Sequence, residues 1–160
     1  MFLKKITFMC LITLSTGVHA SLCIVDKSWD GVWENNDPKT RSITTISIKR
    51  ECLFDNTSIN HGNGLISHRS VPRVVFHTKA WGKCHPRNCY WGSREGVSTG
   101  RGVRTNRIKT IYKQGFADKT LRLIKINGGR RLLVHLHNVF KDKSGRKNYF
   151  NKLYFTKKDK

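Results

Sequence analysis

The sequence predicts an all-β domain, a single antiparallel up-and-down barrel of about eight strands. Three observations carry this. Apolar residues show no helical period over any long window, whereas short alternating apolar and polar runs recur. Turn residues punctuate those runs, most clearly Asn127-Gly128-Gly129 and Asp142-Lys143-Ser144-Gly145. No internal repeat, low-complexity tract or linker divides the chain, so the runs belong to one domain. Closure is preferred to the alternative, a two-sheet β-sandwich, because a closed sheet leaves no unpaired edge.

The elements follow in order. A first strand is expected around Trp29–Trp33. Ile43–Arg50 is the second, with Ile46 and Ile48 on one face. Arg73–Trp81 is the third, with Val75 and Trp81 on one face and Val74, Phe76 and Ala80 on the other. A short strand is expected near Tyr90–Ser93, and another over Asn106–Lys113. Thr120–Ile126 is apolar on both faces, as a buried strand would be. Asn127-Gly128-Gly129 tolerates positive φ and predicts a tight hairpin. It leads into Arg130–Phe140, with Leu132, Val134, Leu136 and Phe140 on one face. Tyr149–Thr156 closes the chain, with Tyr149, Leu153 and Phe155 aligned. Asp55–Ser70, carrying Asn60-His61-Gly62-Asn63-Gly64, is expected to be the least ordered stretch. Gly96–Arg104 is expected to be a second mobile loop.

The N-terminus divides the chain. Lys4 and Lys5 precede an apolar run from Ile6 to Leu14, and Val18-His19-Ala20 ends in a small-residue cleavage site. That is the layout of a secretory signal peptide over residues 1–20, followed by a single basic β domain over 21–160. The apolar run is shorter than the roughly 20 residues that span a bilayer. No later apolar run is long enough to anchor the chain. Leu22 before Cys23 does not fit a lipidation site, so cleavage after Ala20 and a secreted or periplasmic product are expected. Five cysteines then become four, because Cys10 leaves with the leader. Cys23, Cys52, Cys84 and Cys89 suit an oxidising compartment and disulfide pairing.

Cys84 and Cys89 are close enough in sequence to close a local loop, which would leave Cys23 and Cys52 to pair; four cysteines allow three pairings, and the sequence does not choose among them. Zinc with His85 as an added ligand is the rival for the loop. The compartment and the lack of a second nearby Cys/His pair favour the disulfide, and no metal or other cofactor is expected. Trp81 and Trp91 flank the loop. They are either an aromatic platform beside Lys83, Arg87 and Arg94 or packing over the core. His135 and His137 share one side of a strand, opposite Leu132, Val134 and Leu136, so they are expected to face solvent.

Charge is the other strong feature. The chain carries 31 Lys and Arg against 10 Asp and Glu, a formal net charge of +21. Removal of the leader takes away only Lys4 and Lys5. A field of this size attracts polyanions and makes their binding salt-dependent.

Three stretches together carry a family resemblance. They are Gly31-Val32-Trp33-Glu34-Asn35 with Asn36 to Thr44, the run Trp81-Gly82-Lys83-Cys84-His85-Pro86-Arg87-Asn88-Cys89-Tyr90-Trp91-Gly92, and Gly115-Phe116 through Leu121 with Ser144 to Tyr149. Their order and spacing resemble a group of small secreted bacterial proteins with a Trp-Gly-x-Cys-x-Pro-x-x-Cys-x-Trp-Gly loop. The Gly31 to Asn35 opening is also loosely similar to avidin-like and lipocalin-like barrels. The resemblance implies a secreted β domain and lends no activity. The Asp55–Ser70 segment stands as an insertion relative to the group.

The expected function is a non-enzymatic module that docks on an anionic polysaccharide, lipopolysaccharide or nucleic acid. Trp81, Lys83, Arg87, Trp91, Arg94, Arg101, Arg104, Arg130 and Arg131 are the expected binding residues, near the disulfide loop or on neighbouring turns. The alternatives are an enzyme inhibitor acting through the Cys84–Cys89 loop and a small nuclease using His135 and His137. The nuclease needs a carboxylate or a lysine beside those histidines. A small-ligand barrel of the avidin kind would instead require polar side chains converging inside.

Overall fold

The computed structural model describes residues 27–99 and 106–158. Eight antiparallel strands pair in sequence order and close on themselves: β1 (Gly31–Asn35), β2 (Ile43–Asn60), β3 (Ile66–Gly82), β4 (Cys89–Ser98), β5 (Arg107–Gln114), β6 (Ala117–Ile126), β7 (Arg131–Phe140) and β8 (Tyr149–Lys157). Closure comes from β1 against β8, where Trp33, Glu34 and Asn35 face Lys157, Thr156 and Phe155. The strand count and the up-and-down order agree with the sequence expectation, and the sandwich does not occur. No described helix is long and apolar enough to cross a membrane.

Alternation decides which residues fill the interior. Ile46, Ile48, Phe76, Ala80, Ile108, Leu121, Leu123, Leu132, Val134, Leu136 and Phe155 all point inward and are buried. Each of these side chains larger than alanine contributes about 1.5–3 kcal/mol on leaving water. Trp29, in a short 3-10 turn before β1, plugs one end and meets Phe76 edge-on at 5.8 Å. Its backbone carbonyl accepts from Trp33 Nε1 at 3.2 Å, which ties the plug to the first strand. The β6–β7 turn, with positive φ at Asn127, Gly128 and Gly129, lies at this same end.

The structure corrects several expectations. Asp55–Ser70 is not a loose loop. It forms the far half of a continuous β2–β3 hairpin, paired in unbroken register from Cys52↔Val74 to Asn60↔Ile66. Only the tip, His61 to Leu65, is a turn, closed by Asn60 and Asn63 side chains that accept from the Gly62 and Leu65 amides. Backbone pairing, which needs no apolar side chains, makes this stretch regular. The arm runs past the barrel, and most of its residues are exposed. β6 is not buried on both faces: Leu121 and Leu123 point inward, whereas Arg122 is exposed. Gly96–Ser98 continues β4, so that part of the expected mobile loop is strand. The Gly100–Arg104 part, the leader and Cys23 lie outside the described residues.

One irregularity positions the site. In β3–β4, Lys79 faces Ser93 but Trp81 faces Tyr90, so β4 carries one extra residue. Gly92 absorbs this bulge with φ +100, a conformation that favours glycine. The bulge reverses the alternation, sending Tyr90 outward and Trp91 inward.

Candidate functional site

The Cys84–Cys89 disulfide forms, with 5.6 Å between Cα atoms, so the loop is not a zinc site. Its residues Lys83, His85, Pro86, Arg87 and Asn88 are exposed. Cys52 is also disulfide-bonded. The expectation that Cys23 is its partner falls on a residue outside those described.

Trp81 and Trp91 do not make one platform. Trp81 points out of the barrel and lies 5.2 Å from Tyr90, tilted by 36°. Tyr90 is 53% exposed. Together with Val32, Thr45, Ser47, Lys79 and Asn88, the pair lines an open groove of about 730 Å³ on the outer sheet face. Tyr90 replaces Trp91 as the partner of Trp81, because the Gly92 bulge turned both residues over. Trp91 instead lies across the barrel interior, edge-on to buried Tyr112 at 6.0 Å. Gly82 leaves room for it: a Cβ there would sit 2.6 Å from the indole.

The expected arginines divide. Arg87 and Arg94 are exposed at or just after the loop, and Arg94 Nη1 donates to Ser93 O at 2.9 Å. Arg130 closes the β6–β7 turn and Arg131 begins β7, at the Trp29 end and away from the Cys84–Cys89 loop. Their expected place, near the loop or on a neighbouring turn, is therefore corrected: an up-and-down barrel puts consecutive turns at opposite ends, so the β3–β4 and β6–β7 turns lie apart. Arg101 and Arg104 lie outside the described residues.

His135 and His137 face outward, as their spacing requires, with Thr120, Arg122 and Phe150 around a cleft of about 310 Å³. His135 is edge-on to Phe150 at 5.3 Å. Its cross-strand neighbours are Arg122 on β6 and Lys152 on β8. The described residues hold no group of three or more His, Cys, Asp or Glu suited to a metal.

A polar cluster occupies the interior toward the Trp91 end, and sequence reasoning missed most of it. Thr78 and Thr110 hydroxyls are 3.0 Å apart, and Tyr112 Oη donates to Thr78 Oγ1 at 3.0 Å. Burial pushes the Tyr112 phenol up to about 12. Lys119, the register partner of Tyr112, is only 9% exposed and holds its ammonium 3.7 Å from the centre of the Trp91 ring. Burial, helped by Arg146, lowers its pKa to about 8. Asn138, paired with Lys119 across β6–β7, is fully buried. One clue was legible: Lys119 continues the inward row of Ala117, Leu121 and Leu123, and Asn138 continues that of Leu132, Val134 and Leu136.

No protein-family model, curated protein or solved structure matches the chain.

Proposed function

We propose that the protein is an exported, non-enzymatic module that binds an anionic polysaccharide along its outer face. The observation that carries this is the outward Trp81–Tyr90 pair over a groove that also offers Lys79 and the hydroxyl and amide groups of Thr45, Ser47 and Asn88. Aromatic faces take the apolar side of a sugar ring, hydroxyls and amides match its hydroxyls, and the lysine answers its carboxylate or sulfate. Exposed Lys83 and Arg87 lie in the segment between groove residues Trp81 and Asn88, and the formal charge, +21 for the whole chain and +19 once Lys4 and Lys5 leave with the leader, supplies long-range attraction. Binding to polygalacturonate or heparin should weaken linearly in log salt and drop about tenfold in Trp81→Ala and Tyr90→Ala. Affinity indifferent to salt, or unchanged in both variants, overturns the reading. Tighter binding to single-stranded DNA than to either polysaccharide would reassign the groove to nucleic acid.

A specific observation favours the nuclease as second reading. The requirement for a lysine beside the histidines is met by Lys152 opposite His135, with Arg122 on its other side. Two imidazoles flanked by two cations suit proton transfer at a phosphodiester. RNA cleavage abolished by His135→Ala and His137→Ala would support it, and an inert wild type would eliminate it.

A further inference from the structure

The positive charge is not spread evenly over the barrel. Residues 27–99 hold eleven Lys and Arg against six Asp and Glu, whereas residues 106–158 hold fifteen against two. On the β1–β3 side carboxylates are matched to cations: Glu34 pairs with Lys158, Glu51 with His77 and Asp55 with Arg73. On the outward positions of β5 to β8 the one carboxylate is Asp118, engaged by Lys141. Register then lines up the remaining cations. Lys109 on β5 faces Arg122 on β6, Arg122 faces His135 on β7, and His135 faces Lys152 on β8. The four make one row at right angles to the strands, stepping about 5 Å from each strand to the next. Among the described residues no ion pair engages Lys109, Arg122 or Lys152, beyond a 5.8 Å approach of the Lys152 ammonium to the Tyr154 ring. Lys109 directly opposite Arg122 sets like charges together, which destabilises a sheet. Glutamate at 109 would pair with Arg122 and leave the core untouched.

We propose that the outer face of β5 to β8 is a track for single-stranded nucleic acid, with phosphates along the Lys109–Arg122–His135–Lys152 row and bases laid on the rows beside it. A line of cations across four strands matches a linear polyanion. The flanking rows choose the polymer. On one side Ile111, Thr120, His137 and Phe150 stand in register; on the other stand Arg107, Ile124, Leu133 and Tyr154. Thr120 and Arg107 apart, these rows offer aromatic, imidazole and aliphatic surface, and Phe150 is 59% exposed. Every base has a flat face that stacks on such surface, whereas a sugar needs hydroxyls and amides of the kind that line the Trp81–Tyr90 groove. There is room for a base. The open cleft of about 310 Å³ among Arg122, His135, His137 and Phe150 lies where the cation row meets the aromatic flank. His135, edge-on to Phe150 at 5.3 Å, braces that ring. The track shares His135 with the cleavage reading but requires binding alone. It lies across the barrel from the outer groove, which belongs to β1–β4.

Fluorescence anisotropy of labelled oligothymidylate, about 16 nucleotides long, with the full exported chain in EDTA tests the track. This DNA lacks the 2′-hydroxyl through which RNA is cleaved, so binding is read by itself. Arg122→Gln and Lys152→Gln should each weaken binding and flatten the log–log salt slope by about 0.7. Lys49→Gln, which removes the same charge on β2, should leave the slope unchanged. Phe150→Ala should weaken binding at least about fivefold at every salt concentration without changing the slope. All four side chains point outward, so these changes keep the fold. Equal losses from Lys49→Gln and Arg122→Gln, or full affinity in Phe150→Ala, overturn the proposal. Tighter binding of polygalacturonate that is lost in Arg122→Gln gives the face to polysaccharide, and phosphatidylglycerol vesicles held through Phe150 give it to a membrane; either result overturns it. Trp81→Ala should leave oligothymidylate binding intact. Of any DNA binding, only the share lost in Trp81→Ala belongs to the outer groove, so the two readings stand or fall separately.

Discussion

Replacing Lys119 by methionine should make the protein more stable at neutral pH, and the gain should vanish on the alkaline side. The ammonium titrates at 10.5 in an unfolded chain and at about 8 in the barrel. Below pH 8 it is charged in both states, and the folded state bears the whole cost of burying it. Between about pH 8 and 10.5 the folded form has released the proton while the unfolded form keeps it. Unfolded chains then bind more protons, so stability rises with pH. The displacement corresponds to at most about 3 kcal/mol. Water reaching the barrel mouth and the Trp91 face offset part of it, leaving about 1–2 kcal/mol. Methionine has nearly the same length and loses only the charge. Urea unfolding of both proteins at pH 7 and pH 9.5 measures the gap, and titration of all other groups cancels in the difference. The variant should lead by about 1–2 kcal/mol at pH 7 and by much less at pH 9.5. Above about pH 10 both proteins should weaken, because Tyr112 stays protonated to about 12 when folded but ionises near 10.0 when unfolded. A variant less stable than the wild type at pH 7, by an amount that does not change with pH, would refute the reasoning.

Other perturbations test the frame around the site. Gly82→Ala places a Cβ 2.6 Å from the Trp91 indole and should cost about 1–3 kcal/mol, read by urea midpoint, with Trp91 more open to acrylamide quenching. Trp29→Ala empties the plug and should cost about 3–5 kcal/mol in the same assay. Opening the short Cys84–Cys89 loop with Cys89→Ser should cost about 2 kcal/mol and leave far-UV circular dichroism unchanged. Replacing Phe54–Pro72 with a two-residue Asn-Gly turn should leave the barrel folded and its midpoint nearly unmoved, since the arm is exposed along this length.

The inward rows of β2, β7 and β8 were legible because strand side chains alternate with a period of two, and burial of one face writes that period into the chain. The outward placement of His135 and His137 followed from the same rule. Alternation was less informative where neither face is buried, which is why the β2–β3 arm read as a loop. It misled at β4 for a different reason. Tyr90 and Trp91 are adjacent and both aromatic, so composition cannot tell which points inward. The single-residue bulge at Gly92 decides it, and that bulge exists only as a mismatch in register with β3.

An all-β chain of about eight strands, its turns and an intensely basic character were readable from the residues alone, which also favoured a Cys84–Cys89 bridge while leaving three pairings of four cysteines open. These are local or summed properties, carried by neighbouring residues or by counting. The tertiary structure decided what converges. It separated Trp81 from Trp91, moved Arg130 and Arg131 to the far end from the disulfide loop, and brought Ser42, Gln114, Lys119 and Asn138 to one mouth. Those groupings depend on closure of the sheet and on cross-strand register, which join residues distant along the chain and leave no trace in local pattern.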